Sequence, residues 1–481
     1  MSLHQLGVEA SLDAIARREC SADELFAACL KRSEARNPSL AAFRFLEDAA
    51  SPQIEGALAG IPFAMKSNIA IRDRELSCGS RLLEGYQSLY DSTVQQRLRD
   101  SGARLLGQTN MDEFAMGSSS EHCAFGVTRN PWDLERTPGG SSSGSAAAVA
   151  DFQVPFALGS DTGGSIRQPA GFCGVVGFKP SYGRVSRWGL VAFASSLDQI
   201  GPITRSVRDA ALVYAAIAGP DEFDATASTA AVGDPLADIE AGCEGLCLGV
   251  PRGLLEQGID PDVRANFDQL LTRLEAAGAK LVDVCLDRTR YGVAAYYIIA
   301  TAEASSNLAR FDGIRYGQRV EAERLEDMLR ATRSAGFGDE VKLRILLGSY
   351  VLSSGYYDAY YRKAQQTRTL LLDEYRTALG SCDALIMPTS PSTAFRFGDR
   401  LDDPLQMYAS DSLTVAANLT GMPAIAVPSG VDGDGLPCSV QLMGRRFEDA
   451  TVLRAARAVE QLCDFEATHE AHIFGDADGR V

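Results

Sequence analysis

Thr137–Gly171 reads TPGGSSSGSAAAVADFQVPFALGSDTGGSIRQPAG, and the rest of the chain is organised around it. Glycines and three consecutive hydroxyls, Ser141, Ser142 and Ser143, open the stretch. An alanine-rich run over Ser145–Asp151 favours helix, and the apolar run Phe152–Leu158 favours strand. A second glycine turn closes it, Asp161-Thr162-Gly163-Gly164-Ser165-Ile166-Arg167. Glycines beside a serine permit backbone angles and close approaches that side chains forbid. Successive exposed N–H groups in such a turn form a concavity suited to a developing negative charge. One such turn alone is an ordinary turn; two, dense in hydroxyls and one helix apart, read as a site.

The chain around this stretch has 481 residues and a formal charge of −17. That length suits one large domain or two to three ordinary ones. So acidic a chain is a poor candidate to grip a phosphate backbone by itself. No apolar run reaches the length of a membrane span, and the N-terminus has no signal-peptide pattern. Eleven cysteines, scattered from Cys20 to Cys463, form neither a disulfide framework nor a zinc pattern, so reduced thiols in cytosol are expected and no metal site. Cys173, just after the second turn, reads as a small buried residue or as a thiol nucleophile. Only four histidines occur, His4, His122, His469 and His472. A Ser-His-Asp arrangement would have to rest on His122, which also reads as a plain polar loop residue. A serine nucleophile short of histidines can use a lysine kept neutral by burial.

One lysine stands out. In Leu58–Ile71, LAGIPFAMKSNIAI, Lys66 is embedded between apolar runs that normally exclude an unpaired ammonium. On this stretch alone it is equally a lysine snorkelling from a strand end. Elsewhere, Ser21-Ala-Asp-Glu24 is a capping box before a helix expected to end at Asn37-Pro38. A helix over 92–101 and a strand over Arg104–Gly107 precede the polar loop Thr109–Ser120, which could line a pocket. Ser206–Gly219 reads as a helix capped by its end residues. Leu246–Val250, Asp262–Ala277 and Lys280–Cys285 alternate strand, helix, strand, which points to an α/β layer. Residues 294–381 are mainly helical, with the Tyr350–Tyr361 aromatics expected on a packed helix face. Strands over Ala384–Met387, Ala424–Val427 and Ser439–Met443 lead to a helix over Asp449–Leu462 and a loose polar tail over 464–481. No linker forces a boundary, so 1–481 is read as one unit: N-terminal helices in 1–45, core motifs in 60–215 and a helical region in 290–380.

GGSSSGS together with DTGGSIRQPA resembles the core motif of the amidase signature family of serine hydrolases, and GIPFAMKSNI resembles that family's lysine motif. The resemblance implies an α/β fold, a large mixed twisted sheet covered by helices on both faces. It also implies a Ser–Ser–Lys triad with the serines 24 positions apart, as Ser141 and Ser165 are. Ser165 would be the nucleophile, Ser141 the bridging serine after a cis Gly140–Ser141 bond, and Lys66 the base. Backbone N–H groups of Thr162, Gly163 and Gly164 would form the oxyanion hole. Two residues depart from the family pattern: Ser67 replaces an aspartate and Ser143 a glycine.

Longer strings, AYYIIATAEASSNLARFDGIRYG, GFGDEVKLRILLGSYVLSSGYYDAYYRKAQQTR and MYASDSLTVAANLTGMPAIAVPSG, narrow the resemblance to the glutaminase components of glutamyl-tRNA(Gln) amidotransferases. By that resemblance Tyr296, Arg344 and Asp411 bind glutamine, Arg344 at the α-carboxylate and Asp411 at the α-ammonium. Selecting a free amino acid calls for one guanidinium and one carboxylate, though alone Arg344 reads as an exposed helix charge and Asp411 as a turn residue. The resemblance further implies two partners, a tRNA-binding B subunit with a small C subunit. It implies that ATP and Mg are used by the partner rather than by this chain, with little direct tRNA binding here. A stand-alone amidase of small amides shares the triad without needing the Arg344–Asp411 pair. A scaffold that has lost activity would not need Lys66, Ser141 or Ser165.

Overall fold

The alternation of strands and helices resolves into one eleven-stranded mixed sheet. The structure is a computed structural model, and it describes residues 2–48, 55–256, 258–400 and 404–475. The strands are β1 (Phe43–Leu46), β2 (Pro62–Lys66), β3 (Arg104–Thr109), β4 (Phe156–Asp161), β5 (Val176–Lys179), β6 (Gln199–Thr204), β7 (Cys247–Val250), β8 (Lys280–Asp283), β9 (Ala384–Pro388), β10 (Ala424–Val431) and β11 (Pro437–Gly444). Their spatial order is β1-β3-β2-β4-β6-β5-β10-β11-β9-β7-β8. β2 runs parallel to β3 and β4, and β7 is parallel to β8 and β9. The strands between these two groups pair antiparallel. Every residue of β2, β4, β5, β6 and β9 is buried, as strands covered on both faces must be. The fold is therefore the expected α/β sheet clothed in helices. Among the described residues no helix is long and apolar enough to cross a membrane.

The helix Ser143–Ala150 is buried along its whole length. Its alanines let it lie close against β2, β3 and β4, so the hydroxyl-rich turn at its start sits at the C-terminal ends of β2 and β4.

Several local expectations need correction. The strand after this helix begins at Phe156, not Phe152. Phe152 takes a left-handed φ of 57°, and Pro155 has no N–H to give a ladder, so pairing starts one residue later. The helix Ala22–Leu40 runs through Pro38 to a left-handed Ala41. Asn37 secures this last turn: its Nδ2 donates to the Phe43 carbonyl and its Oδ1 accepts from Phe43 N–H. The helix Val207–Ile217 ends one residue before Gly219, at Ala218. The tail is not loose through 475: Glu466–Phe474 is helical, and its buried His469 approaches the Ala150 carbonyl at 2.8 Å. Residues 476–481 of that tail lie outside the described residues. Tyr350, Tyr356 and Tyr360 are exposed and gather on one another instead of facing a core.

Candidate active site

Lys66 is the last residue of β2, 0% exposed, and its amine ends in a nest of serines. Nζ lies 2.8 Å from Ser141 Oγ, 2.9 Å from Ser142 Oγ, and 3.0 Å and 3.3 Å from Ser160 Oγ and carbonyl oxygen. Burial disfavours the ammonium and pulls the Lys66 pKa down to about 7, against the opposing pull of Asp112, Asp161 and Asp198. The amine is thus available as a base near neutral pH, and its bridging partner Ser141, also fully buried, follows a cis peptide at Gly140–Ser141. Gly140 N–H donates to Gln168 Oε1 at 2.9 Å. At the position of the missing family aspartate, Ser67 Oγ donates to the Thr109 carbonyl at 2.7 Å. Ser143 Oγ is buried with no hydrogen-bond partner among the described residues.

The second turn packs against the first through a hydrogen bond from Ser142 N–H to the Ser165 carbonyl, 3.1 Å. Ser165 retains 8% exposure while Lys66 and Ser141 have none, so of the three it is the one in reach of a ligand. Its Oγ makes no hydrogen bond among the described residues. The oxyanion expectation needs one change. Gly164 N–H is already taken by Asp161 Oδ1 at 2.8 Å, whereas the N–H groups of Thr162, Gly163 and Ser165 have no acceptor among the described residues. Asp161 stays a carboxylate: burial alone would raise its pKa, but Arg167 beside it holds it down at about 2. Both glycines are required here on space, and Gly164 on angle as well. A Cβ on Gly163 would meet the Tyr296 hydroxyl at 2.6 Å, and Gly164 has φ +136° with Thr414 Oγ1 where its own Cβ would stand.

Tyr296 therefore lies directly against the Asp161–Arg167 turn. It is carried by the helix Gly292–Asn307. Arg344, 4% exposed on the helix Asp339–Val351, donates through Nε to Glu340 at 2.7 Å. Burial would weaken its charge, but Glu340 outweighs that and keeps it protonated. Its guanidinium sits among the rings of Phe193, Tyr297 and Tyr408, 5.3–5.8 Å from their centres. No hydrogen bond is made by its two Nη groups among the described residues, so the edge suited to a bidentate carboxylate is open. Asp411 is buried and accepts from Tyr297 Oη at 3.0 Å and Ser118 Oγ at 3.1 Å. Burial outweighs those bonds and the nearby charge of Arg344, and pushes its pKa up to about 6. Two cavities border residues next to this clamp, one of about 690 Å³ lined in part by Glu113 and Glu340, the other of about 610 Å³ lined in part by Ser410 and Ser412; neither lining includes Arg344, Asp411 or Ser165.

Clamp and serine row are tied together. Thr414 Oγ1 donates to the Gly163 carbonyl at 2.6 Å, Arg167 donates to Asp161, to the Thr414 carbonyl and to Asn418, and Asn418 donates back to Asp161. Asp198 accepts from Thr162 Oγ1 at 2.7 Å and from the N–H groups of Phe193 and Ala194, which sets Phe193 beneath Arg344. Sequence reasoning did not single out Tyr297, Phe193, Ser118, Glu340, Ser142 or Ser160. Ser142 and Ser160 had a signal, Ser142 as a hydroxyl within the first motif and Ser160 as the hydroxyl just before the second. Tyr297 had none beyond its adjacency to Tyr296. Cys173 is fully buried with its thiol pKa pushed up by burial, and so is no nucleophile. The His122 ring makes no hydrogen bond to a serine among the described residues; its backbone N–H donates to Asp112.

Residues 10–453 match the model of the family described as Amidase. The chain is 55% identical over 408 residues to the A subunit of glutamyl-tRNA(Gln) amidotransferase from Symbiobacterium thermophilum, covering 85% of this chain and 83% of that protein. It is 50% identical over 478 residues to the protein of the same name from Moorella thermoacetica, with 97% and 98% covered. The crystal structure of the Thermotoga maritima protein of that name superposes with a TM-score of 0.84 at 46% identity, over 96% of this chain and 95% of that one.

Proposed function

The chain belongs to the amidase family, and on that premise we propose that it is the glutaminase subunit of a tRNA-dependent amidotransferase. The observation that carries the reading is the clamp: a buried guanidinium whose Nη groups make no hydrogen bond among the described residues and a buried carboxylate with no ion pair among them, tied to the serine turn through Thr414. A simple aliphatic amide offers nothing to either group. Glutamine offers a carboxylate to Arg344 and an ammonium to Asp411, which places its side-chain carboxamide toward Ser165.

In this reading neutral Lys66 takes a proton from Ser141 as Ser141 takes the proton of Ser165, and Ser165 Oγ attacks the carboxamide carbon. The oxyanion rests on the N–H groups of Thr162, Gly163 and Ser165, each worth about 3 kcal/mol. The proton held by Lys66 returns through Ser141 to the leaving nitrogen, ammonia departs, and water releases glutamate from the acyl-enzyme. The ammonia passes to a tRNA-binding B subunit, which uses ATP and Mg to amidate Glu-tRNA(Gln) or Asp-tRNA(Asn), with a small C subunit completing a cytoplasmic assembly. The acidic balance of this chain suits leaving the tRNA to its partner.

Ammonia release from glutamine and from propionamide, measured on the chain purified with its bound partners, tests the reading. It requires a strong preference for glutamine and co-purification of two further chains. Equal rates on both amides would favour a stand-alone amidase.

A further inference from the structure

The shape of the nucleophile turn depends on one peptide, the one that joins Gly163 to Gly164. Its N–H donates to Asp161 Oδ1 at 2.8 Å and its carbonyl accepts from Thr414 Oγ1 at 2.6 Å. The N–H groups on either side of it, those of Gly163 and Ser165, are two of the three left without an acceptor among the described residues. A peptide is planar, with its N–H and C=O pointing opposite ways, so these two bonds fix which way the plane faces. They are not equal. Asp161 Oδ1 also accepts from Arg167 Nη2 at 3.1 Å and from Asn418 Nδ2 at 2.9 Å, and so keeps donors if Gly164 leaves it. The Gly163 carbonyl has one donor among the described residues, the Thr414 hydroxyl. Two successive glycines, the second at φ +136°, have no side chain to hinder a turn of that plane. A plane turned over would bring a carbonyl oxygen where the site needs N–H groups, and would repel an oxyanion.

Thr414 is itself firmly seated. It is fully buried, its N–H donates to the Asp411 carbonyl at 3.0 Å, and its own carbonyl accepts from Arg167 Nη1 at 3.0 Å. These backbone bonds fix the residue without help from its hydroxyl. The hydroxyl proton goes to Gly163, since the Asp411 carbonyl lies farther off at 3.1 Å and already accepts the N–H groups of Thr414 and Val415. We propose that Thr414 is a positioning residue for the oxyanion hole: its hydroxyl holds the Gly163 carbonyl out of the site, so that the N–H groups of Gly163 and Ser165 meet the oxygen of the attacked carbonyl as it turns negative. Thr414 Oγ1 makes no hydrogen bond to Lys66, Ser141 or Ser165 among the described residues, so it takes no part in moving the proton.

The inference rests on Ser165 as nucleophile but not on glutamine as substrate, so its first readout probes Ser165 alone. The rate at which a fluorophosphonate labels Ser165 is measured on the protein with its bound partners, with Ser165→Ala as blank. In that reaction Ser165 Oγ bonds to phosphorus, fluoride leaves, and the phosphoryl oxygen takes the place of the oxyanion. Thr414→Val keeps the shape and the backbone bonds but loses the donor. Its labelling rate should fall about tenfold or more, and kcat for glutamine about 30-fold to 100-fold, with KM within about twofold of wild type. Thr414→Ser, which keeps a hydroxyl, should stay within about threefold of wild type in both rates. The pH at which the rates rise should be that of wild type in each variant. Thr414→Ala supplies the same contrast with Thr414→Ser if Thr414→Val does not fold. Equal rates with and without the hydroxyl, or a KM that rises as far as kcat falls, would overturn the proposal in favour of a merely structural threonine. Wild type that labels at Ser165 but releases no ammonia from glutamine would sink the substrate reading, while a gap of about tenfold in labelling between Thr414→Ser and Thr414→Val would still uphold this inference. Wild type that does not label at Ser165 would overturn both.

Discussion

The serine–lysine row and the Arg344–Asp411 clamp lie side by side yet are built in opposite ways. The row comes from two strand ends and two turns, β2 and residues 137–167, and its contacts are short, buried and made by one lysine amine to serine hydroxyls. The clamp is assembled from loops and helices far apart in sequence, Ser118, Phe193, Tyr297, Arg344 and Asp411, and it leans on aromatic rings and long side chains. Burial does different work in each. In the row it lowers the lysine pKa to about 7, which in the proposed reading lets the amine act as a base. In the clamp it raises the pKa of a carboxylate despite the neighbouring Arg344 charge, and in the proposed reading a ligand's ammonium would offset that. Chemistry is thus fixed locally and selectivity at long range, and the two can be broken separately.

The largest expected effect separates them outright. Ser165→Ala or Lys66→Met should lower kcat for glutamine hydrolysis by roughly 10⁴-fold, with binding of glutamine by calorimetry little changed. Comparable losses from either variant are expected because the row acts as a unit. Arg344→Ala should do the reverse: KM for glutamine rises about 100-fold while turnover of propionamide is unaffected. A matched loss on both amides would show that the clamp also shapes the row.

How far each region was legible follows the same division. The row could be read because its residues sit in two short strings whose glycines and hydroxyls have few other uses. Even there, sequence places Gly164 in the oxyanion hole because it does not reveal that the Asp161 carboxylate folds back onto its N–H. Arg344 and Asp411 could be named only by resemblance, since an arginine on a helix and an aspartate in a turn carry no periodic signal. Tyr297, stacked on Tyr408 at 3.8 Å and bonded to Asp411, was indistinguishable from Tyr296 until the helix was placed. The helix Glu466–Phe474 carries no apolar periodicity because its one buried side chain is His469 amid polar residues, held by Trp132 stacking from a distant loop.

A pH series sharpens the comparison. Lys66 has a folded pKa of about 7 against 10.5 unperturbed, so the unfolded chain holds the extra proton between those values. The resulting stability penalty is full below pH 7 and fades as pH rises toward 10.5. Lys66→Met should therefore melt above wild type at pH 7, with the Tm difference shrinking steadily by pH 10. Lys179, buried and shifted the same way, remains in both proteins and cancels from the difference. The smallest effect expected is for Tyr297→Phe, which removes one hydrogen bond from Asp411 and should raise KM for glutamine about threefold to tenfold without moving kcat.

The central claim, that Lys66 is an uncharged amine when it serves Ser141, is open to direct measurement. Protein carrying ¹³Cε-labelled lysine, compared with Lys66→Met to identify the signal, reports the titration of this one side chain by NMR. The account predicts a midpoint near pH 7 that coincides with the rise of glutaminase activity. A Lys66 signal that stays protonated to pH 9 or beyond, in protein fully active at pH 8, would contradict it.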